Sequence, residues 1–274
     1  MNTFSRKRLA VIGAGKLGGI LVQAFLRRKL VPAKNLRVTV RQPEHARALA
    51  ARLRFPVGTD NRAAAKGADV VLLAVKPTQV QGVLEEIRGH LSAKPLVVSV
   101  AASVPTLYLE ERLPAGVPVV RAMPNIPCAV GAGMTGLARG QHAGPVHVAM
   151  AQSLFESVGR TVVVDEKHMD AVTGLSASGP AFLWIVLEAL ADAGVKTGLP
   201  RDVATLLAAQ TMHGAARMVL ETGDHPALLK DGVTTPAGCT IDGILELEDG
   251  KVRIALIKAV ARATQRAREL LFEG

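Results

Sequence analysis

Short apolar runs alternate with helix-like stretches over the first 165 residues, and this alternation constrains the fold more than any other feature. The runs are rich in Val, Ile and Leu without polar interruption, as expected of parallel strands that are covered on both faces. Six runs are predicted as strands: 8–13, 36–40, 70–75, 96–100, 117–121 and 161–165. Helices are predicted between them at 16–29, 44–54, 77–90, 104–112 and 144–158. This order predicts an α/β domain with a doubly wound parallel sheet.

The pattern changes after Asp165, where helical stretches replace the β-rich runs. A break at SASGP (176–180) precedes three long predicted helices: 181–198, 200–223 and 241–271. The segment AFLWIVLEAL at the start of the first of these helices is apolar nearly all round, and such a helix needs cover on every side. We therefore predict two domains, 1–165 and an all-α 166–274, and an extensive subunit interface in the second.

A glycine turn follows the first predicted strand and opens the first predicted helix. Gly13, Gly15 and Gly18 form a G-x-G-x-x-G pattern, with Lys16 and Leu17 between the last two glycines. The first glycine permits a tight turn, the second lets the backbone approach a pyrophosphate, and the third lets helix and strand pack closely. The helix N-terminus offers free N–H groups and a positive dipole end to phosphates. In this strand–turn–helix context the pattern predicts a dinucleotide-binding site.

The end of the second predicted strand favours NADP over NAD. NAD-preferring domains place an acidic residue there for the ribose 2′-hydroxyl, but this strand ends in Arg41-Gln42-Pro43. An arginine suits a 2′-phosphate by charge and by bidentate hydrogen bonding, and the alternative interpretation of Arg41 is a solvated loop cation. Cofactor contacts are also predicted at the ends of the third and fourth strands, where open α/β sheets bind ligands. They are Ala74, Val75, Lys76, Pro77, Ala101 and Ala102.

The charge balance is basic, but it does not indicate nucleic-acid binding. Lys and Arg number 33 against 23 for Asp and Glu, which gives a net charge of +10. An anionic partner such as a nucleic acid, a membrane surface or a phosphorylated cofactor is one interpretation. The basic residues occur in small groups and never as a long block, so we favour scattered surface charge, which also suits an anionic small ligand. Aromatic residues make up only 3%, too few for stacking platforms that bind single strands.

Other site classes find no support in the sequence. The two cysteines, Cys128 and Cys239, are far apart and form no CxxC motif, which is typical of a chain in a reducing cytosol without a disulfide framework. The seven histidines show no paired ligand spacing, so no metal site is predicted. No run of 18 uninterrupted apolar residues occurs, so no membrane span is predicted and we expect a cytoplasmic protein.

Several segments together resemble one family, the pyrroline-5-carboxylate reductases. They are the glycine turn, AVKP (74–77), VRAMPNIP (120–127), AVTGLSASGPAF (171–182), EALADAGVKTGLPR (188–201) and HPALLKDGVTTPAGCTIDGILELE (225–248). The resemblance covers the chain nearly end to end and in the family's order. It implies a Rossmann domain followed by a helical dimerisation domain, with interlocked homodimers that assemble further in some members. It also implies reduction of 1-pyrroline-5-carboxylate to L-proline with NADPH, or with NADH.

The resemblance further implies roles for individual residues. Thr240 matches the threonine that hydrogen-bonds the ring nitrogen of the substrate, and Gly238 and Cys239 lie where backbone amides bind its carboxylate. Asn61 matches an asparagine near the adenosine end of the cofactor, and Asn125 lies in the segment near the nicotinamide. The remaining implied substrate contacts are Met123, Glu166, Ser176, Ser178 and Gly179.

Some residues depart from the family's pattern. Lys16 stands where asparagine is usual, and Gly232 stands where many members have a polar side chain. Ala177 and Ala237 replace frequent glycines, and Cys239 replaces a common threonine or alanine. An alanine is penalised wherever the backbone needs a positive φ, so we expect an adjusted loop at any such position.

Three other functions are compatible with parts of the sequence. Reduction of another cyclic imino acid, such as pyrroline-2-carboxylate, needs the same ring-nitrogen and carboxylate contacts. A noncatalytic NADP-binding scaffold would bind the cofactor without turnover, and taken without the resemblance the segment TTPAGCT is equally a loop with a capping threonine. A nucleic-acid-binding protein would show a steep salt dependence, but the sequence has no helix-turn-helix or aromatic-interleaved motif.

Overall fold

The computed structural model describes residues 4–91 and 94–269. Its centre is a seven-stranded sheet with the strand order β2-β1-β3-β4-β5-β6-β7. The strands are β1 Leu9–Ile12, β2 Leu36–Thr39, β3 Val70–Leu73, β4 Leu96–Ser99, β5 Val119–Met123, β6 Gly133–Arg139 and β7 Gly159–Val163. All six predicted strands are present, and β5 runs two residues further than the predicted 117–121.

The strand β6 was not predicted from the sequence. It is antiparallel to β5 and parallel to β7, whereas β1 to β5 are all parallel. Its two glycines hide the strand pattern, and both are required by close neighbours. A Cβ on Gly133 would collide with the Cys128 sulfur, and a Cβ on Gly136 would lie 2.7 Å from Cγ1 of Val172.

Helices cover both faces of the sheet, which confirms the doubly wound fold. They are α1 Lys16–Arg27, α2 Pro43–Leu53, α3 Asn61–Ala65, α4 Val80–Ile87, α5 Thr106–Glu110 and α6 Pro145–Glu156. Successive strand residues point to opposite faces, so Leu72 packs in the core with α1, α2 and α6, and Leu73 packs in the core with α3, α4 and α5. The predicted helices 77–90 and 104–112 are shorter in the structure, because a short 3₁₀ helix precedes α4 and Pro105 precedes α5.

The rest of the chain is helical, as predicted. The elements are α7 Met169–Val172, a π-helical turn Thr173–Ala177, α8 Gly179–Lys196, α9 Arg201–Thr222, α10 Pro226–Gly232, α11 Cys239–Asp249 and α12 Val252–Glu269. The prediction of a single helix over 241–271 is wrong, because Gly250 and Lys251 interrupt the helix. Lys251 has φ of 54°, a left-handed conformation that ends α11 before α12 begins.

The chain divides into two compact units. One lies within Met1–Ser178 and Arg262–Gly274, and the other, which we call the helical unit, spans Gly179–Ala261. The helix α12 therefore begins in the second unit and ends in the first. The division falls later than the predicted boundary at residue 165, which remains a prediction about the functional domains.

The helical unit exposes a large apolar surface in the single chain. Trp184 is 54% exposed, and other exposed apolar side chains are Leu183, Ile185, Leu206, Leu207 and Ile257. The helical stretch Glu166–Lys196 is long and apolar enough to cross a membrane by length and composition alone. The same composition is expected of a helix that a second copy of the chain covers.

Candidate cofactor and substrate site

The glycine turn between β1 and α1 has the geometry that a phosphate-binding turn requires. Gly13 has φ of +87°, and a Cβ there would collide with the Val75 side chain. A Cβ on Gly18 would lie 2.8 Å from the carbonyl oxygen of Gly13, so only glycine lets α1 pack this closely. A Cβ on Gly15 would meet nothing within 4 Å, so the backbone faces open space where a ligand can approach it.

The turn is held in place by Thr39, the last residue of β2. Its carbonyl oxygen accepts hydrogen bonds from the backbone N–H groups of Gly13 at 3.0 Å and Ala14 at 2.9 Å. Its hydroxyl donates to Oδ1 of Asn61 at 2.7 Å, and Nδ2 of Asn61 donates to a carboxylate oxygen of Glu86 at 2.9 Å. Asn61, a predicted cofactor contact, is therefore oriented by two neighbours. Sequence reasoning missed Thr39, although its place at the end of the strand next to β1 was a usable signal.

The first turn of α1 presents unpaired backbone N–H groups, which are suited to an anion. The helix begins at Lys16, and Gly15 caps it without a side chain. The first backbone N–H groups of a helix have no partner within it, so those of Lys16, Leu17 and Gly18 are available to a ligand at the positive end of the helix dipole. The Lys16 side chain is exposed and adds a positive charge beside them.

Polar and positively charged side chains lie after the end of β2 and in α2. Arg41 and Gln42 are exposed there, just before α2. A third residue, Arg52 of α2, was not predicted: its Nη2 lies 3.1 Å from the position that a Cβ on Gly19 of α1 would occupy. Arg52 was not recognisable because only the packing of α2 against α1 brings it to the glycine turn.

The carboxyl ends of the central strands meet in one row. Thr39, Ile12, Leu73, Ser99 and Arg121 are successive partners across the sheet. The residues that follow them therefore share one edge with the glycine turn. The predicted contacts placed there are Ala74, Val75, Lys76, Pro77, Ala101, Ala102, Met123 and Asn125.

The π-helical turn is tied to this edge by Asn125. Its Nδ2 donates to the carbonyl oxygen of Ser176 at 3.2 Å, and its Oδ1 accepts from the N–H of Met134 at 2.9 Å. The hydroxyl of Ser176 is buried, and among the described residues it has no hydrogen-bond partner. Ser178 is next to it and donates its N–H to the carbonyl of Thr173 at 3.0 Å. An unpartnered hydroxyl beside the turn fits a polar ligand at this edge.

Glu166, a predicted substrate contact, already has protein partners in the structure. Its carboxylate accepts hydrogen bonds from the N–H of Thr106 at 2.7 Å and from the hydroxyl of Thr106 at 2.6 Å. Its Oε1 also lies 3.5 Å from Nη1 of Arg121. Arg121 was missed, although a single charged residue inside an apolar strand was a signal.

The other predicted substrate residues belong to the helical unit. Gly179 begins α8, Gly238 caps α11, and Cys239 and Thr240 are the first two residues of α11. A Cβ on Gly238 would collide with the hydroxyl of Thr235, so this turn has room only for glycine. The preceding residue, Ala237, has φ of +55°. The turn is thus left-handed as in a glycine-containing loop, and the alanine takes the strained conformation.

Two family models match the chain. A model for the dimerisation domain of pyrroline-5-carboxylate reductase matches residues 166–270. A model described as NADP oxidoreductase, coenzyme F420-dependent, matches residues 8–103, which include the glycine turn and β1 to β4.

Relatives and solved structures match the chain over almost its whole length. The pyrroline-5-carboxylate reductase of Methanosarcina acetivorans is 44% identical over 96% of this chain and 98% of its own. That of Arabidopsis thaliana is 40% identical over 96% of this chain and 95% of its own. Among solved structures, the reductase of Coxiella burnetii has a TM-score of 0.88 at 37% identity, covering 96% of this chain and 98% of that one. A Plasmodium falciparum pyrroline carboxylate reductase with NADP bound has a TM-score of 0.87 at 27% identity, covering 98% and 99%. This chain belongs to the pyrroline-5-carboxylate reductase family.

Proposed function

We propose that this chain reduces 1-pyrroline-5-carboxylate to L-proline, the last step of proline biosynthesis. Hydride adds to the carbon of the C=N bond, and the nitrogen, protonated from solvent, becomes the ring amine. Family membership carries the proposal, and the glycine turn gives it a physical basis. In this proposal residues 1–165 hold the cofactor and residues 166–274 supply the dimer interface and the substrate contacts.

The cofactor half of the proposal rests on residues whose geometry fits a dinucleotide. NADPH, when bound, supplies the hydride, with NADH as the alternative. The backbone N–H groups at the start of α1 bind the phosphates, and Lys16 adds charge next to them. Arg41 is the proposed partner of a 2′-phosphate, because the end of β2 carries a cation and no carboxylate.

The substrate half of the proposal rests on the N-terminus of α11. A carboxylate is stabilised at such an end by the free N–H groups of the first helical turn, which begins at Cys239. The N–H of Gly238 donates to the carbonyl oxygen of Thr235 at 3.0 Å, so a substrate carboxylate at Gly238 would have to share or replace that bond. The hydroxyl of Thr240 orients the ring nitrogen and is the proposed catalytic group. Because the imine is protonated from solvent, the chain needs no strong general acid. It needs to hold the reacting carbon in position and to stabilise charge.

The proposed assembly is a homodimer through the helical unit, with interlocked helices and further association into a larger oligomer. The exposed apolar side chains around Trp184 support it, since patches of this kind on a single chain are typical of subunit interfaces. We further propose that the enzyme works in the cytoplasm, without a membrane or nucleic-acid partner.

The test is loss of reduced-nicotinamide absorbance when pyrroline-5-carboxylate is added to purified protein with NADPH or NADH. Turnover with proline as the product supports the proposal. A higher kcat/KM on pyrroline-2-carboxylate would instead assign the other imine, and cofactor binding without turnover would assign a scaffold.

Thr240→Ala is expected to lose turnover by about 10- to 100-fold while keeping its affinity for NADPH, because only the substrate's ring nitrogen loses its partner. Thr197→Ala is the matched control. Thr197 follows the last residue of α8, and among the described residues its exposed hydroxyl donates only to the carbonyl of Gly194, at 2.9 Å. Equal kcat/KM in the two variants would remove Thr240 from the mechanism.

A further inference from the structure

A buried arginine lies beneath the edge of the sheet where the strand ends meet. The side chain of Arg121 is only 5% exposed. Its Nη1 lies 3.5 Å from Glu166 and its Nη2 lies 3.6 Å from Asp170. Among the described residues, Nε and Nη2 have no hydrogen-bond partner. Burying a charge is unfavourable until its ion pairs compensate, and an apolar side chain of similar volume often stabilises a core equally well.

The two carboxylates that face Arg121 also contact other segments of the chain. Glu166 accepts both hydrogen bonds from Thr106, the first residue of α5. The second oxygen of Asp170 lies 3.7 Å from Nε of Arg268, in the last turn of α12. The arginine at the end of β5 is thereby connected to α5 and to the C-terminal end of α12.

A third contact closes these connections into a ring. The hydroxyl of Ser103 donates to the carbonyl oxygen of Ala267, next to Arg268, at 2.6 Å. Ser103 is buried and has φ of +64°, a left-handed conformation that is unfavourable for a residue with a side chain. The ring therefore runs from the loop after β4 through α5, Glu166, Arg121, Asp170 and α12, and back to the same loop.

The ring borders two strand ends at which contacts to the cofactor are expected. Ala101 and Ala102, expected cofactor contacts, immediately precede Ser103. Asn125, expected near the nicotinamide, lies two residues after Met123, the last residue of β5. Hydride transfer depends steeply on the separation of the reacting atoms, and a displacement of about 1 Å can cost up to 100-fold in rate. A rigid ring around these two strand ends is a means of holding that separation.

We propose that Arg121 is a positioning residue for hydride transfer, acting through Glu166 and Asp170 on the loop Ala101–Ser103. This inference rests on the proposed function. It assigns a reaction role to a group that touches neither substrate nor cofactor, and it separates two ends of the cofactor site. The adenosine end depends on the glycine turn and Thr39, whereas the nicotinamide end depends on the ring.

The test replaces one carboxylate by its neutral isostere. Asp170→Asn keeps the shape of the side chain but removes its charge against Arg121 and Arg268. Asp165→Asn is the matched control, because Asp165 is exposed and, among the described residues, its carboxylate contacts only Lys167: the ammonium at 3.0 Å and the backbone N–H at 3.1 Å. The asparagine oxygen can still accept from that N–H, so only a surface charge is removed. Arg121→Lys is the second variant, since a lysine cannot span two carboxylates with a planar fork.

Three measurements decide the outcome: kcat, the affinity for 2′-phospho-ADP-ribose by calorimetry, and the fluorescence of bound NADPH. We expect Asp170→Asn and Arg121→Lys to lower kcat by about tenfold, with a larger deuterium isotope effect from 4-deuterated NADPH. Affinity for 2′-phospho-ADP-ribose, which lacks the nicotinamide, should not change. The fluorescence of bound NADPH should differ from that of the wild type and of Asp165→Asn.

Two results would overturn the inference. One is a kcat and a fluorescence equal to those of Asp165→Asn, whatever happens to the melting temperature, because the cluster would then be structural only. The other is a parallel loss of 2′-phospho-ADP-ribose binding, because the substitutions would then also disturb the adenosine end of the cofactor site. A wild-type protein without turnover would refute the proposed function instead, and the fluorescence comparison, which needs no substrate, would still decide the role of the ring.

Discussion

Ala237 stands in a left-handed turn immediately before the capping residue of α11, and replacing it by glycine should stabilise the protein. Its φ is +55°, where a side chain meets the following carbonyl oxygen. That conformation costs an alanine about 1–2 kcal/mol. Glycine removes the cost but gains more freedom in the unfolded chain, which offsets about 0.4–1 kcal/mol of it. The side chain is exposed, so little packing is lost. The expected net gain from Ala237→Gly is therefore about 0.5–1 kcal/mol per chain.

Ala177 provides the matched control, because the same substitution there should have the opposite sign. It lies in the π-helical turn and packs partly buried against the core of Met123, Ala138 and Met169. Glycine inside a helix costs about 1 kcal/mol relative to alanine, before any loss of packing. The two variants should thus differ by about 1.5–2 kcal/mol, although each exchanges an alanine for a glycine.

The assay is thermal unfolding of both variants and the wild type at one protein concentration, because the stability of an oligomer depends on concentration. A change of 1 kcal/mol corresponds to about 2–4 °C in a chain of this size. Ala237→Gly should melt above the wild type and Ala177→Gly below it. A lower melting temperature for Ala237→Gly, equal to that of Ala177→Gly, would refute the assignment of strain to this turn.

Two predictions concern the cofactor end. Gly13→Ala should abolish binding of NADPH and NADH alike, because its Cβ collides with Val75 and its φ is +87°; Gly82→Ala, where a Cβ meets nothing within 4 Å, is the control, and retained binding in Gly13→Ala would contradict the geometry. Arg41→Ala should weaken NADPH binding by about 10- to 100-fold and NADH binding much less, since a charged hydrogen-bonded contact contributes about 1.5–3 kcal/mol; equal weakening of the two cofactors would exclude a 2′-phosphate contact.

The parallel part of the fold was predictable because its strands are uninterrupted apolar runs separated by helical stretches. The strand β6 escaped because Gly133 and Gly136 interrupt the pattern, and both are needed for close contacts that only the folded chain reveals. The break between α11 and α12 escaped for a related reason. Gly250 was visible in the sequence, but the left-handed conformation that ends the helix belongs to Lys251.

The site was predictable where a local pattern carries the chemistry. The glycine turn is such a pattern, because turn, helix start and close packing are encoded within six residues. The ring around Arg121 is not, because its members come from the loop after β4, from β5, α5, the segment before α7, α7 itself and the end of α12. Residues this far apart in sequence are brought together only by tertiary packing, and no spacing rule connects them.

The compact unit that carries the glycine turn is discontinuous along the chain, since it combines Met1–Ser178 with Arg262–Gly274. This affects the order in which its contacts form during synthesis. Its first part is complete at Ser178, but its last part begins only at Arg262. A ribosome adding about 5–20 residues per second needs on the order of ten seconds to make the intervening helices and the final turn. Until then the Ser103 hydroxyl cannot donate its hydrogen bond to the carbonyl oxygen of Ala267, and Asp170 cannot form its ion pair with Arg268. A prematurely terminated chain therefore has the glycine turn but lacks the contacts of Ser103 and Asp170 with the end of α12.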